Sequence, residues 1–182
     1  MESDTTVMLS YTLAFCRVAI SLVFAWSFVS KVQDISSFLH TINRFNLLPE
    51  ALHFPVAGAF LGGELVVVVA MILGGKLLLW GFLLAGLLLI LFSTALVSVL
   101  LRKIQTSCNC FGTSSRAISY HDVVRNAGFV ACAMGGWIVL SVSNIMLTTL
   151  TWPEVGLIAF VAMAFVVIWT HLAEIVELFR LA

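Results

Sequence analysis

The chain has 182 residues, of which 62% are hydrophobic and only 10% are charged, and its formal net charge is zero. A soluble domain carries about 25% charged residues, so nine acidic and nine basic side chains are too few to cover a globule of this size. The composition therefore excludes a soluble domain and, because it has no basic surplus, a nucleic-acid-binding protein. It predicts a chain whose main solvent is lipid.

Five long apolar runs predict five membrane-spanning helices, at 11–29, 55–73, 77–101, 123–143 and 155–172. Each has about 20 residues, enough to cross the hydrocarbon layer, and they lack the alternation of barrel strands. Between Lys31 and Phe54, apolar residues recur at helical spacing, which predicts an amphipathic helix that lies at the membrane interface and ends before Pro49, or a packed connecting helix. The expected architecture is an all-α membrane bundle, with residues 1–182 forming one integral domain.

A Cys-x-Cys pair lies in the polar segment 102–122, between the third and fourth spans, at Cys108 and Cys110. Bridged Cα atoms lie about 5.5–6 Å apart, so such a pair is joined only where the chain bends, and Asn109 and Gly112 permit a bend. A bridge this tight is strained, and strained, exposed bridges tend to exchange. The pattern favours a redox-active dithiol.

Two other interpretations of this pair stay open, namely a soft-metal site completed by His121 and two cysteines with no chemical role. The flanking cations Lys103 and Arg116 favour the reactive thiolate. Cys16 and Cys132 fall inside apolar runs, and we expect them to act as small buried hydrophobes.

Arg17 and Glu64 are the two charged residues deepest in the predicted spans. A charge in hydrocarbon is costly and normally faces the bundle interior and finds a partner. We therefore expect these two to pair with each other, or one of them to face a polar cavity near the cysteines. An ion pair that only fixes the helix register is the structural alternative. Further candidate supporting charges lie near the span ends and in the loops: Lys31, Arg116, His121 and Arg125.

Basic residues are distributed unequally between the two sides of a five-span chain. One side holds only Lys76, and the other holds Lys31, Arg44, Arg102, Lys103, Arg116, Arg125 and Arg180. The positive-inside rule assigns the richer side, and with it the Cys108 segment, to the cytoplasm.

Several short motifs, in this order and spacing, resemble those of the MauE-type methylamine-utilisation membrane proteins, relatives of the DoxX family. The resemblance covers roughly residues 17–143 and rests on Ser30-Lys31 with Asp34, Phe38, Ile42, Phe45, Leu48 and Pro49, Pro55 with Glu64, Cys108-Asn109-Cys110-Phe111-Gly112, Ile118-Ser119-Tyr120 and Val124-Arg125-Asn126.

The resemblance implies a redox-associated protein of the bacterial inner membrane that acts with a thioredoxin-like partner in forming disulfides of a periplasmic enzyme subunit. By analogy Cys108 and Cys110 are the exchanging pair. That role requires access from the periplasm, whereas the charge rule places the segment in the cytoplasm. Three explanations of this conflict stay open. Either the segment folds back into a membrane cavity, or the basic residues do not indicate its true side, or the electrons come from a cytoplasmic donor.

The leading functional hypothesis is a membrane thiol–disulfide oxidoreductase or electron relay, with a thioredoxin-like or client protein as partner. No cofactor is established by the sequence, although a quinone is a candidate final acceptor, as in other membrane thiol oxidases. A second hypothesis is a non-catalytic structural or assembly subunit of a larger membrane complex. A third is a carrier of a small solute or metal, with Arg17 and Glu64 along its path.

Overall fold

The structure, a computed structural model, describes residues 2–45, 49–102, 120–142 and 151–171. These residues form six α-helices and one short 3-10 turn, Glu50–Leu52. The helices are α1 (Glu2–Gln33), α2 (Ile35–Phe45), α3 (His53–Leu73), α4 (Leu77–Leu101), α5 (Tyr120–Val142) and α6 (Trp152–Thr170). Five of them, all except α2, are long and apolar enough to cross a membrane. The predicted all-α membrane bundle, with an amphipathic helix after the first span, is confirmed.

The first helix starts earlier than its apolar run, at Glu2 rather than Tyr11. Residues 2–10 contain no proline or glycine that would interrupt a helix. The acidic residues Glu2 and Asp4 also favour the positive end of the helix dipole. The polar first turns therefore continue the helix that the apolar run begins.

Helix α1 is the central element of the bundle and packs against α3, α5 and α6. Its inward face repeats at helical spacing through Leu13, Cys16, Ile20 and Val23 and then turns polar at Ser27. Helix α6 is the outermost span. Only 11% of its apolar 18-residue stretch is buried inside the bundle, against 39% for α1. Large apolar side chains on the outer faces, such as Trp80 of α4, are exposed and face the lipid.

Neighbouring spans from α1 through α3 and α4 to α5 run antiparallel. The turn between α3 and α4 uses Gly74 and Gly75, whose φ angles of 71° and 60° suit glycine. Contacts such as Gly63 with Leu88 and Asn126 with Ser93 fit this antiparallel arrangement of the spans. As a result α4 ends, and α5 begins, at the end of the bundle where α1 finishes.

Helix α2 is attached to this same end. Asp34 Oδ1 accepts hydrogen bonds from the Ser37 backbone N–H at 2.9 Å and from the Ser36 hydroxyl at 2.8 Å. These donors start the helix and lower the pKa of Asp34. Phe38 and Thr41 form the buried side of α2 and pack it towards α1 and α3.

Candidate functional site

A buried polar cluster joins α1 to α3 and consists of Lys31, Ser27 and Glu64. The Lys31 Nζ donates to Glu64 Oε1 at 2.5 Å and to Ser27 Oγ at 2.6 Å, and Ser27 Oγ donates to the same carboxylate oxygen at 3.0 Å. Ser27 and Lys31 are one helical turn apart, so both point to the same face of α1. Lys31 and Glu64 are each only 3% exposed, which makes this a salt bridge withdrawn from both lipid and water.

The ammonium group also connects the cluster to α2. Lys31 Nζ lies 5.4 Å from the centroid of the Phe38 ring, within the range of a cation–π contact. Phe38 is itself buried. The ion pair therefore holds together three helices, with the amphipathic helix α2 closing over its end.

The second carboxylate oxygen of Glu64 is the exception in this cluster. Glu64 Oε2 is buried and has no hydrogen-bond partner among the residues that the structure describes. Leaving a buried acceptor unpaired costs about 1–3 kcal/mol, and more when the group is charged. Glu64 Oε1 thus has hydrogen-bond donors, and Oε2 is an acceptor without a donor among the described residues.

Beside this cluster lies a small cleft of about 30 Å³ between α1, α3, α4 and α5. Glu64 and Lys31 contribute its charged groups, and Asn126 contributes an amide whose nitrogen donates to Ser93 Oγ at 3.2 Å. The rest of the wall is mainly apolar and aromatic, including Phe24, Phe60, Leu88, Leu89 and Phe92. A cleft of this size has room for about two water molecules beside the buried polar groups.

The expected pairing of Arg17 with Glu64 is wrong. Arg17 Nε donates to the Met71 carbonyl at 2.6 Å, and its Nη2 donates to the Ile72 carbonyl at 3.0 Å. These carbonyls are among the last of α3, which lack partners within the helix, and the negative end of the helix dipole favours a cation there. Because α1 and α3 are antiparallel, Arg17 lies beside the far end of α3, whereas Lys31 reaches the middle of that helix.

The other candidate residues are distributed between the start of α5 and the segment before it. His121 is exposed on the first turn of α5. Arg125 Nη1 lies 3.4 Å from Asp122 Oδ1, and the Arg125 carbonyl accepts a hydrogen bond from Trp169 Nε1 at 2.9 Å. The expected roles of Cys108, Cys110 and Arg116 fall outside the described residues.

Cys16 of α1 and Cys132 of α5 lie side by side, which the sequence did not indicate. Cys16 belongs to the apolar core and Cys132 packs against it partly buried, as expected for small hydrophobes, and the two thiols lie near each other. The Cys16 sulfur also lies 3.9 Å from the position of a Cβ built on Gly135, one turn beyond Cys132. Both thiols are free.

Ser27 was not among the predicted site residues, and Asn126 was named only within the Val124-Arg125-Asn126 motif, although both belong to the cluster or its cleft. A signal for Ser27 was available, because it precedes Lys31 by four residues on one helix. The signal for Asn126 was an amide inside an apolar run.

Residues 9–141 match the family model described as "Methylamine utilisation protein MauE". The match extends from the early turns of α1 almost to the end of α5, so it includes the Lys31–Glu64 cluster, the cleft and the Cys108 segment. No curated protein and no solved structure shows a significant match to the chain.

Proposed function

The chain belongs to the MauE family of methylamine utilisation proteins and is a multi-pass membrane protein, and on this premise we propose that it is a thiol–disulfide redox protein. Its Cys108–Cys110 pair passes electrons to or from a thioredoxin-like protein or a client protein. The bacterial inner membrane is the proposed location.

The observation that carries the proposal is the Cys-x-Cys pair inside the family-matched part of the chain. The segment that contains it joins α4 to α5, and both helices meet it at the end of the bundle where α1 finishes. A soluble partner protein reaches a membrane protein through the polar connections between its spans rather than within them. Cys16, which is buried, and Cys132, which is partly buried, lie within the spans and lack that access.

The chemistry is thiol–disulfide exchange. In the oxidising direction a client thiolate attacks one sulfur of the Cys108–Cys110 disulfide, forming a mixed disulfide and releasing the other cysteine as a thiolate. A second client thiolate then attacks the mixed disulfide. The client gains a disulfide, and the two electrons remain on the reduced Cys108–Cys110 pair.

The structure reduces the number of basic residues that count as loop charges when the orientation in the membrane is assigned. Lys31 is buried against Glu64, and Arg125 lies on α5 beside Asp122, so neither acts as a loop charge. The remaining basic residues of that side are Arg44, Arg102, Lys103, Arg116 and Arg180. They still outnumber Lys76, so the positive-inside rule continues to favour a cytoplasmic Cys108 segment.

The first test replaces each cysteine of the pair. We expect Cys108→Ser and Cys110→Ser each to abolish the change in a partner's thiol redox state, because exchange needs both sulfurs. The measurement is the ratio of oxidised to reduced partner, determined by thiol alkylation in cells and with purified proteins. Cys132→Ser is the matched control and should leave that ratio unchanged.

An unchanged partner redox state in both loop variants would overturn the proposal. If those variants instead lose a membrane complex while partner redox state is normal, the chain is a structural or assembly subunit. Side-specific labelling with a membrane-impermeant maleimide, in a Cys16→Ser, Cys132→Ser background, then determines the face. Labelling from outside only after reduction supports a periplasmic oxidase, and labelling from the cytoplasmic side supports a cytoplasmic electron donor.

A further inference from the structure

Two buried polar groups line the small cleft between α1, α3, α4 and α5. One is the Lys31–Ser27–Glu64 cluster, and the other is the amide of Asn126, a residue that is only 1% exposed. Among the described residues, no hydrogen bond joins Asn126 to that cluster. Polar groups that share a cavity without direct contact are commonly joined by a water molecule.

Both groups have hydrogen-bonding capacity beyond the bonds that they make to described residues. A lysine ammonium has three N–H donors, and Lys31 directs two of them to Glu64 Oε1 and Ser27 Oγ. An asparagine amide has two donors and an acceptor oxygen, and Asn126 donates to Ser93 Oγ. The third ammonium proton and the oxygen of the Asn126 amide are therefore a donor and an acceptor at the same cleft.

The size and the walls of the cleft select water as the group between them. A cavity needs about 10–15 Å³ to hold one water, and this cleft has about 30 Å³. Its remaining walls are aliphatic and aromatic side chains, so the polar groups are the partners that a water finds there. The ring of Phe38 attracts the ammonium charge, but at 5.4 Å it is too distant to accept a hydrogen bond from Lys31 Nζ.

We propose that the cleft is an ordered-water site, in which one water accepts a hydrogen bond from Lys31 Nζ and donates one to the oxygen of the Asn126 amide. The bridge joins the ion pair of α1 and α3 to α5, and the bond from Asn126 to Ser93 continues it to α4. One hydrogen-bonded network thus crosses all four helices around the cleft. It accounts for a buried asparagine in an apolar span, where a polar side chain requires a partner.

The test is X-ray radiolysis followed by mass spectrometry, on the purified full-length protein in phosphatidylcholine nanodiscs. Radiolysis splits water into hydroxyl radicals, which oxidise the side chains next to the place where they form. Phe24 and Phe82 are both buried, but only Phe24 lines the cleft. We therefore expect Phe24 to be oxidised several-fold faster than Phe82.

Two variants test the partner of the water. Asn126→Leu has a side chain of similar size without the acceptor, so the oxidation rate of Phe24 should fall to that of Phe82. Ser93→Ala is the matched control, because it removes the hydrogen bond that Asn126 donates to α4 and leaves the amide in place. In that variant Phe24 should be oxidised as fast as in the wild type.

Equal oxidation of Phe24 and Phe82 in the wild type overturns the proposal, because no water then lies in the cleft. An unchanged oxidation rate of Phe24 in a folded Asn126→Leu protein also overturns it, because the amide is then not the partner of the water. If Asn126→Leu does not fold, the comparison of the two rings in the wild type still decides whether the cleft holds water.

Discussion

Lys31 and Glu64 show how two charges are accommodated in an apolar bundle. The lysine side chain extends back along α1 to Ser27 and across to α3, and the ring of Phe38 covers its charged end. Taking two ions out of water carries a large desolvation penalty, which their attraction offsets only when geometry and additional hydrogen bonds are good. Each charge is therefore tolerated in the bundle only because the other compensates its desolvation penalty.

We predict that breaking this pair destabilises the protein far more than removing it. Lys31→Met and Glu64→Leu should each lower the free energy of unfolding by about 3–5 kcal/mol, because an uncompensated charge stays buried. The double variant should recover most of that loss. The measurement is a double-mutant cycle of unfolding in mixed micelles. Lys76→Met, an exposed lysine in the turn before α4, is the control and should have little effect. Additive losses in the double variant would contradict the prediction.

At the scale of the helices, close approach of α5 to its neighbours depends on missing side chains. A Cβ on Gly128 would lie 2.4 Å from Trp169 Nε1, and a Cβ on Gly136 would lie 2.4 Å from Phe82 Cζ. Helices in lipid associate through packing, and small residues at the interface allow their backbones to approach. These contacts fix the distance between α5 and the helices on either side of it, and thereby the position of Asn126 in the cleft.

Gly136→Ala should destabilise the bundle, by about 1–3 kcal/mol, because Phe82 is almost completely buried and cannot easily move aside. The matched control is Gly62→Ala on α3, where a Cβ would meet nothing within 4 Å. That change should be neutral or slightly stabilising, since alanine is the better helix former. Thermal unfolding of both variants in the same detergent checks the difference. Equal midpoints for the two would mean that α4 and α5 pack differently.

For the molecule as a whole, the antiparallel arrangement brings distant parts of the sequence to the same level of the bundle. Cys16 and Cys132, on the first and fifth helices, lie near each other at the core. Toward the opposite end, the Lys31–Glu64 cluster lies in the half of the bundle where α4 ends and α5 begins. The proposed redox segment and the Lys31–Glu64 cluster are therefore attached to the same half of the molecule.

The contact between the two core thiols gives a test of this arrangement. In a Cys108→Ser, Cys110→Ser protein, a membrane-permeant oxidant should join Cys16 to Cys132 within one chain, because the two side chains lie near each other where α1 packs against α5. The measurement is the loss of two hydrogen atoms from the intact mass and a linked peptide after digestion. Additional Cys132→Ala substitution, as the control, should abolish the product. A link found only between two chains would show that α1 and α5 do not pack as described.

The sequence by itself determined that lipid surrounds the chain, that its spans are helices and which family it resembles. Hydropathy is a local property, and backbone groups in hydrocarbon must pair within their own helix. For that reason the apolar runs sufficed to identify five spans, and the motifs around Cys108 and Lys31 sufficed for the MauE resemblance.

Only the tertiary structure decided which charges meet. Arg17 and Glu64 looked like partners because both lie deep in apolar runs, but the level of one helix against another depends on packing between residues far apart in the sequence. Ser27, the α1 residue level with Glu64, lies ten positions beyond Arg17, which along a helix is about 15 Å. This register joins Glu64 to Lys31, leaves Arg17 to cap α3, and brings Cys16 to Cys132.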